Sequence, residues 1–360
     1  MLTVKTKDLK RALENAKKVI NPKTTLPVLE TVAFVSSDGN CWIEATDLQT
    51  HIQTTIPCTG IEDGFTISNP LALLKAIKFF GTEVSFELHK KDYSVTYTSG
   101  KKSGRLLTIN IDEFPPPPRD IDAESYPVDI VDFYKQYKKI KPALSTEEAR
   151  PALNCVYVEG NKMVASDGFV MSVIPLLTTF KENFLLFGKD VERFNVFGNS
   201  ATSITHKGTE DEEDYRFEYE VSQSDVSIYG MRAEKYNYPD YTQLVPKEFK
   251  EIYTVNKKEF LDALAYLKEM TPNGKNTIYD AGTLTSRAEE DGEFSVKLSS
   301  QEVGNIKYSF SYNLAMKIVK EQFHGKTLTF KVNKHNTPIV ISCENEEDGF
   351  VLLMPMHLPD

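Results

Sequence analysis

Two stretches of this chain carry the same skeleton about 120 residues apart. Residues 26–57 read LPVLETVAFVSSDGNCWIEATDLQTHIQTTIP, and residues 150–175 read RPALNCVYVEGNKMVASDGFVMSVIP. Both run Pro-x-Leu, an alternating strand, a turn, Ala-Thr/Ser-Asp, another strand, then Ile-Pro. Pro27 and Pro151 are 124 residues apart, and Asp47 and Asp167 are 120 apart. An internal period of that size sets the architecture before any local reading does. A chain of 360 residues holds three such units. The third copy is fainter. Its marker is a second helix ending in Phe and Gly, at Phe80-Gly81, Phe197-Gly198 and Phe323-His324-Gly325. Glycine is expected there in the left-handed conformation that follows a helix end. A repeat pair joined to an unrelated C-terminal domain is the competing reading.

Within each unit the patterns are mixed. Over 7–20, Leu9, Ala12, Leu13, Ala16, Val19 and Ile20 share one helical face. Asn69-Pro70 and Asn256 with Glu259 are helix starts, and the latter helix has Phe260, Leu261, Leu264 and Leu267 on its apolar side. Short strands rich in β-branched and aromatic residues lie between, for example Glu83–Glu87, Ser94–Tyr97, Arg216–Val221 and Thr327–Val332. The fold class is therefore α+β, with two helices packed on β-sheets in each of three tandem domains, 1–120, 121–243 and 244–360. Pro115 to Pro118 form the first connector, and Tyr238-Pro239-Asp240-Tyr241 with Pro246 the second. The acidic run 210–214 is expected to be a solvated loop tip.

Chemistry is harder to find. Six histidines show no ligand spacing, and no phosphate loop, dinucleotide turn or nucleophile elbow is present. The four cysteines (Cys41, Cys58, Cys155, Cys343) form no close pair, so neither a structural metal nor a disulfide framework is expected. No cofactor is expected either. No apolar run approaches the roughly 20 residues of a membrane span, and the N-terminus lacks an apolar signal core, so a cytoplasmic protein is expected. Asp47 and Asp167, each beside a hydroxyl residue, suit turn capping better than acid catalysis.

The net charge is −10, yet it is unevenly spread: +1 over 1–120, −8 over 121–243 and −3 over 244–360. The helices run against that trend. Lys10 and Arg11, Lys75 and Lys78, Lys135, Lys138 and Lys139, and Lys317 and Lys320 gather on helical segments, as a concerted basic surface on an acidic body would require. On the residues alone, three readings stand: a DNA-associated binding protein, a repeat-built β-rich interaction module not bound to DNA, and an enzyme using Asp47 and Asp167.

Several motifs together resemble one family. Thr24-Thr25-Leu26-Pro27-Val28-Leu29, Ala45-Thr46-Asp47-Leu48, Ala165-Ser166-Asp167-Gly168, Tyr238-Pro239-Asp240-Tyr241 and Leu353-Met354-Pro355-Met356 resemble the bacterial DNA polymerase III beta subunit family, the beta sliding clamps. The resemblance runs end to end. It implies a head-to-tail homodimeric ring of six similar domains that encircles double-stranded DNA. It also implies a non-catalytic processivity factor that recruits DNA polymerase, clamp loader and repair proteins bearing a clamp-binding motif. Weak, non-specific phosphate contacts suit a protein that must slide.

The resemblance carries the DNA-facing role onto Lys23 and Arg150. It also carries a partner-peptide pocket onto Leu153, Ser166, Gly168, Phe169, Val170, Met171, Pro239, Gln243, Leu244, Pro338, Leu352, Leu353, Met354, Pro355 and Met356. Phe169-Val170, Gln243 and His357 replace basic residues usual in the family, and Pro359-Asp360 extend past its usual end. These departures imply a divergent or mobile-element member with a less basic, more apolar pocket. A head-to-tail ring needs an edge strand, for which Leu106-Leu107-Thr108-Ile109 are suited, and facing residues on a helix, for which Tyr266 and Met270 are suited.

Overall fold

The computed structural model describes residues 1–60, 63–117, 124–198, 202–208, 217–232, 235–272, 274, 276–288, 292–299, 304–344 and 349–358. Pro118, the first expected joint at 120/121, Arg216, the acidic run 210–214 and Pro359-Asp360 lie outside the described residues.

Six α-helices occur among the described residues: α1 (Thr6–Ala16), α2 (Pro70–Ala76), α3 (Ile130–Ile140), α4 (Gly188–Val191), α5 (Lys257–Met270) and α6 (Tyr312–Gln322). The expected starts hold. Asn69 caps α2 by accepting the Ala72 N–H at 3.1 Å, and Asn256 caps α5 by accepting the Glu259 N–H at 3.1 Å. Each satisfies an N–H that has no partner within the helix. The helix expected over 7–20 is shorter, because α1 ends at Ala16 and Val19 is buried from the turn that follows. Leu261 stands half-buried, and Ala263 takes its place on the buried face of α5 with Phe260, Leu264 and Leu267.

The glycines after the helices are not left-handed. Gly81, Gly198 and Gly325 are absent from the positive-φ positions among the described residues. At Gly325 the requirement is close approach instead: a Cβ there would lie 2.6 Å from Cys343 Sγ and 2.8 Å from the Glu344 carbonyl oxygen.

Two compact units make up the chain, Met1–Val131 with Glu192–Lys235, and Asp132–Val191 with Tyr236–Asp360. In the first, a twelve-stranded sheet follows the path Lys102–Leu107, Ser94–Ser99, Glu83–His89, Leu2–Lys5, Thr50–Thr59, Val226–Arg232, Phe217–Gln223, Thr202–Gly208 and Ser125–Val128. Strands Val32–Ser37, Asn40–Thr46 and Phe65–Ile67 branch from it. The long strand Thr50–Thr59 makes the sheet continuous. Its first half pairs with Val226–Gly230, and its end pairs with Thr3 and Val4. Leu9, Ala12, Leu13 and Ala16 of α1 are buried, as are the rings of Phe34, Phe65 and Phe86. Phe34 and Phe65 stack at 4.9 Å.

The second unit has two sheets. Eight strands run Phe184–Phe187, Cys155–Glu159, Lys162–Ser166, Val170–Pro175, Phe350–Leu353, Ile339–Cys343, Thr327–Val332 and Glu251–Asn256. Four more run Gly292–Lys297, Thr283–Ala288, Asn276–Asp280 and Tyr308–Ser311. Gln322 at the end of α6 is fully buried. It accepts from the Ser172 hydroxyl at 2.5 Å and donates to the Val173 carbonyl at 3.3 Å, which satisfies both ends of its amide.

Candidate functional site

The repeated Ala-Thr/Ser-Asp builds one turn twice. Asp167 Oδ1 accepts the N–H groups of Phe169 and Val170, both at 2.8 Å. Ser166 Oγ donates to the Val170 carbonyl at 2.9 Å and accepts from the Gly168 N–H at 3.1 Å. In the first unit, Asp47 Oδ1 accepts from Gln49 and Thr50 at 3.1 and 2.7 Å, and Thr46 makes the two hydroxyl bonds at 3.0 and 3.1 Å. Gly168 has φ +91° and Leu48 φ +73°, so the bend is left-handed in both. Asp47 is also held by Arg193 at 2.7 Å, and Arg193 donates to Thr50 Oγ1 as well. These aspartates fasten hairpins, which accounts for their spacing without catalysis.

Each turn is tied to a strand from far along the chain. In the second unit, Val170 pairs with Leu353 and Met171 with Leu352, and the Met354 N–H donates to the Phe169 carbonyl at 2.9 Å. In the first unit, Thr50 pairs with Gly230 and His51 with Tyr229, and the Met231 N–H donates to the Gln49 carbonyl at 2.9 Å.

The second unit's turn borders an apolar surface. Val170, Met171, Leu352 and Leu353 are almost fully buried. Met171 and Leu352 cluster with Val164, Val173 and Tyr241, against which Tyr157, Tyr238, Val245, Phe350 and Met354 pack. Those four residues therefore form a floor. Phe169 is 57% exposed, Leu244 46% and Met356 36%, while Leu153, Pro338, Met354 and Pro355 are half-buried and Pro239 is exposed. Asp240 caps the turn Tyr241–Leu244 by accepting from Thr242 at 3.0 Å, and it also accepts from Gln243 Nε2 at 2.9 Å. The hydrogen bonds from Thr242 and Gln243 hold its carboxyl below the usual aspartate range. Tyr241 donates to Glu159 at 2.6 Å, and burial pushes its phenol up.

Arg150, expected to face DNA, stands beside this turn. Its Nη1 lies 3.0 Å from where a Cβ on Gly168 would be, and Glu147 is 3.5 Å from its Nε. A positive charge is thus close to the Gly168 turn although Val170 and Gln243 carry none. The sequence pattern did not signal that arrangement, since Arg150 and Gly168 are brought together by two separate turns.

The helical cations are mostly at the surface. In the first unit Lys10, Lys23, Lys75 and Lys78 are exposed, but Arg11 is bound to Asp225. In the second, Lys135, Lys138, Lys317 and Lys320 are exposed and Lys139 is half-buried. Lys138 lies 5.2 Å from the Tyr134 ring centre.

Two sheets end on an open edge. Lys102–Leu107 is the outer strand of the twelve-stranded sheet, with Leu107 70% exposed and Leu106 half-buried. The expected edge 106–109 is cut short. Thr108 donates its N–H to the Tyr93 carbonyl, and Ile109 exchanges two hydrogen bonds with Thr66 Oγ1 at 2.7 and 2.9 Å. Thr108 thus extends the contact with the neighbouring strand, and Ile109 is held to Thr66. Gly292–Lys297 is the outer strand of the four-stranded sheet, which the sequence reading missed. A cavity of about 570 Å³ lies between it and α5, lined by Asn256, Lys258, Glu259, Asp262, Ala263, Tyr266, Ser295 and Val296. Tyr266 and Met270 are both exposed on α5.

Among the described residues no cluster of His, Cys, Asp and Glu could hold a metal ion, and no helix is long and apolar enough to cross a membrane.

Residues 1–118 match the family described as DNA polymerase III beta subunit, N-terminal domain. The beta sliding clamp of Bacillus subtilis (strain 168) is 23% identical, covering 99% of both chains. The Staphylococcus aureus (strain Mu50) beta sliding clamp is 22% identical over 86% of each. In fold, the Bacillus subtilis DNA polymerase sliding clamp superposes with a TM-score of 0.86 at 20% identity, covering 99% of both chains. That of Caulobacter crescentus gives 0.87 at 18% identity, also covering 99% of both.

Proposed function

We propose that the chain is a member of the DNA polymerase III beta subunit family and works as a DNA sliding clamp. It encircles duplex DNA as a homodimer and gives a replicative DNA polymerase its processivity. It catalyses nothing itself. The observation that carries this reading is the end-to-end likeness, in sequence and in fold, to sliding clamps. The three domains are 1–120, 121–243 and 244–360, and the protein works in the cytoplasm.

Lys10, Lys23, Lys75, Lys78, Lys135, Lys138, Lys139, Lys317 and Lys320 supply the phosphate contacts. Such contacts attract through counterion release and carry no sequence information. The groove bordered by Phe169, Leu244, Met354 and Met356, over the floor of Val170, Met171, Leu352 and Leu353, takes an apolar peptide segment of polymerase, clamp loader or repair proteins. Methionine adapts to varied apolar partners, which suits a shared site. The ring closes when the Lys102–Leu107 edge of one copy meets the Gly292–Lys297 edge of another, with Leu107 directed to the cavity beside Tyr266. Two open edges of this kind otherwise invite indiscriminate pairing.

The test is topological. A labelled preparation is loaded on a nicked circular duplex with the host clamp loader and passed through a sizing column, before and after the circle is cut. Retention on the circle and release after cutting is the expected result. Equal retention on both forms contradicts encirclement.

A further inference from the structure

The groove's floor is part of a longer row. Opposed residues on neighbouring strands share a face, and Met171, Leu352, Val340, Lys331 and Ile252 form one such row across five strands of the eight-stranded sheet. Exposure rises along it: Leu352 and Val340 are buried, Lys331 is half-buried, and Ile252 is 57% exposed. Phe249 is half-buried, with its ring centre 5.9 Å from Lys331 Nζ. Lysines frame this end of the sheet. Lys250 donates its N–H to the Val332 carbonyl at 3.0 Å, which carries the outer strand one residue further. Thr337 Oγ1 closes the turn 334–337 by accepting the Lys334 N–H at 2.9 Å and donating to the Lys334 carbonyl at 3.0 Å. Pro338, a pocket position, follows that turn directly. Lys247, Lys250 and Lys334 are exposed. Among the described residues they and Lys331 have no ion pair, whereas Lys307 in the same unit is held by Asp280 at 3.5 Å. Of the nearby acids, Glu251 alternates with Ile252 onto the other face and accepts the Ile306 N–H at 2.9 Å, while Glu248 stays at the surface.

We propose that the peptide taken by the groove continues along this row as an acidic segment, recognised by Lys250, Lys331 and Lys334 beside Phe249 and Ile252. The proposal rests on the groove reading and deepens it, by naming the chemistry of the partner's flank. From Leu352 to Ile252 there are three strand spacings, about 14 Å at roughly 4.8 Å each. An extended peptide rises about 3.3 Å per residue, so the acids belong about four residues from the apolar anchors. An ammonium is a point charge on a flexible stem and imposes no fixed carboxylate geometry, so the strip accepts Asp and Glu in varied order. The two apolar side chains among the cations favour a polypeptide, because a nucleic-acid backbone brings no apolar side chain to cover them.

The experiment measures fluorescence anisotropy of three labelled peptides that share adjacent Leu and Phe anchors. One carries aspartates about four residues after the anchors, one carries them as far before, and one has asparagines in both flanks. One of the two acidic arrangements should bind the parent about tenfold more tightly than the asparagine peptide, the scale of a few exposed ion pairs, and lose that gain as salt rises. Lys250→Gln, Lys331→Gln and Lys334→Gln together should abolish the gain, while an unchanged affinity for the asparagine peptide reports an intact groove. Lys250→Glu with Lys334→Glu should instead favour a lysine-flanked peptide, a reversal that damage to the fold does not produce. If the three peptides bind the parent equally, or if both acidic arrangements gain alike, the proposal is overturned while the groove reading survives. A triple variant that loses binding to a short duplex but keeps the peptide preference would assign the lysines to DNA and overturn it too. If no anchored peptide binds the parent, the groove reading falls and takes the proposal with it.

Discussion

The N–H of Met354 donates to the carbonyl oxygen of Phe169 at 2.9 Å, which sets an exposed aromatic ring beside a methionine. If that juncture forms the peptide groove, Met354→Ala with Met356→Ala should weaken a synthetic peptide carrying adjacent Leu and Phe by about tenfold or more. Mass in solution should be unchanged. Met171→Ala should behave differently, because Met171 is floor: its truncation should cost about 2–5 kcal/mol of stability. Fluorescence anisotropy of the peptide and urea midpoints separate the two. Full affinity in the double variant would move the groove elsewhere.

Asp47 and Asp167 do the same local work, but only Asp47 also holds a largely buried arginine. Asp167→Ala should lower stability by about 1 kcal/mol, the scale of a lost cap. Asp47→Ala should cost more, about 3 kcal/mol, because Arg193 is left without its charge partner. Denaturant unfolding measures both. Equal effects would mean that Arg193 contributes nothing through this pair.

Assembly should depend on two exposed apolar residues in different units. Leu107→Asp or Met270→Glu should each yield folded protein at the chain mass of 40.8 kDa, where the parent runs at about twice that. Light scattering gives the mass and circular dichroism the fold. A dimer that survives both changes would exclude this pair of edges.

Alkaline pH should weaken the second unit. Burial raises the phenols of Tyr157, Tyr238, Tyr241, Tyr253, Tyr279 and Tyr308 above the ordinary tyrosine value. Unfolded tyrosines lose their protons near pH ~10, while these keep theirs in the folded state. Above that pH the unfolded chain binds fewer protons than the folded one, so stability must fall as pH rises. Below it their contribution is complete. Urea midpoints from pH 8 to 11 should decline only beyond about pH 10, and Tyr308→Phe should make the decline shallower. A flat profile would contradict the assignment.

What could be read from the residues was local. The caps at Asn69 and Asn256 depend on a side chain three positions from its partner, and the strand Thr327–Val332 depends on alternation, so both stood in the sequence. The pairing of Thr50–Thr59 with Val226–Arg232 did not. Its partners are more than 170 residues apart, and each edge alone reads only as a strand. Separations of 214 and 146 residues likewise hid Arg11 from Asp225 and Arg193 from Asp47. Basic residues could be counted on helices, but which were already neutralised depended on contacts that periodicity does not carry. The proposed pocket positions were legible through the family resemblance. That Met171 and Leu352 are buried while Phe169 is exposed was not, because it follows from the pairing of two strands far apart in the sequence.

The duplicated turn gives the molecule its own internal control. One hydrogen-bond scaffold, built from Asp47 and Thr46 in one place and from Asp167 and Ser166 in the other, carries Leu48-Gln49 on the first copy and Gly168-Phe169 on the second. Whatever the two copies share belongs to holding the hairpin, and whatever differs can be transplanted without redesigning the frame. Leu48→Gly with Gln49→Phe would therefore graft the aromatic ring onto ground already prepared for it, beside Met231. Duplication has left a spare socket in which recognition can be rehearsed apart from folding.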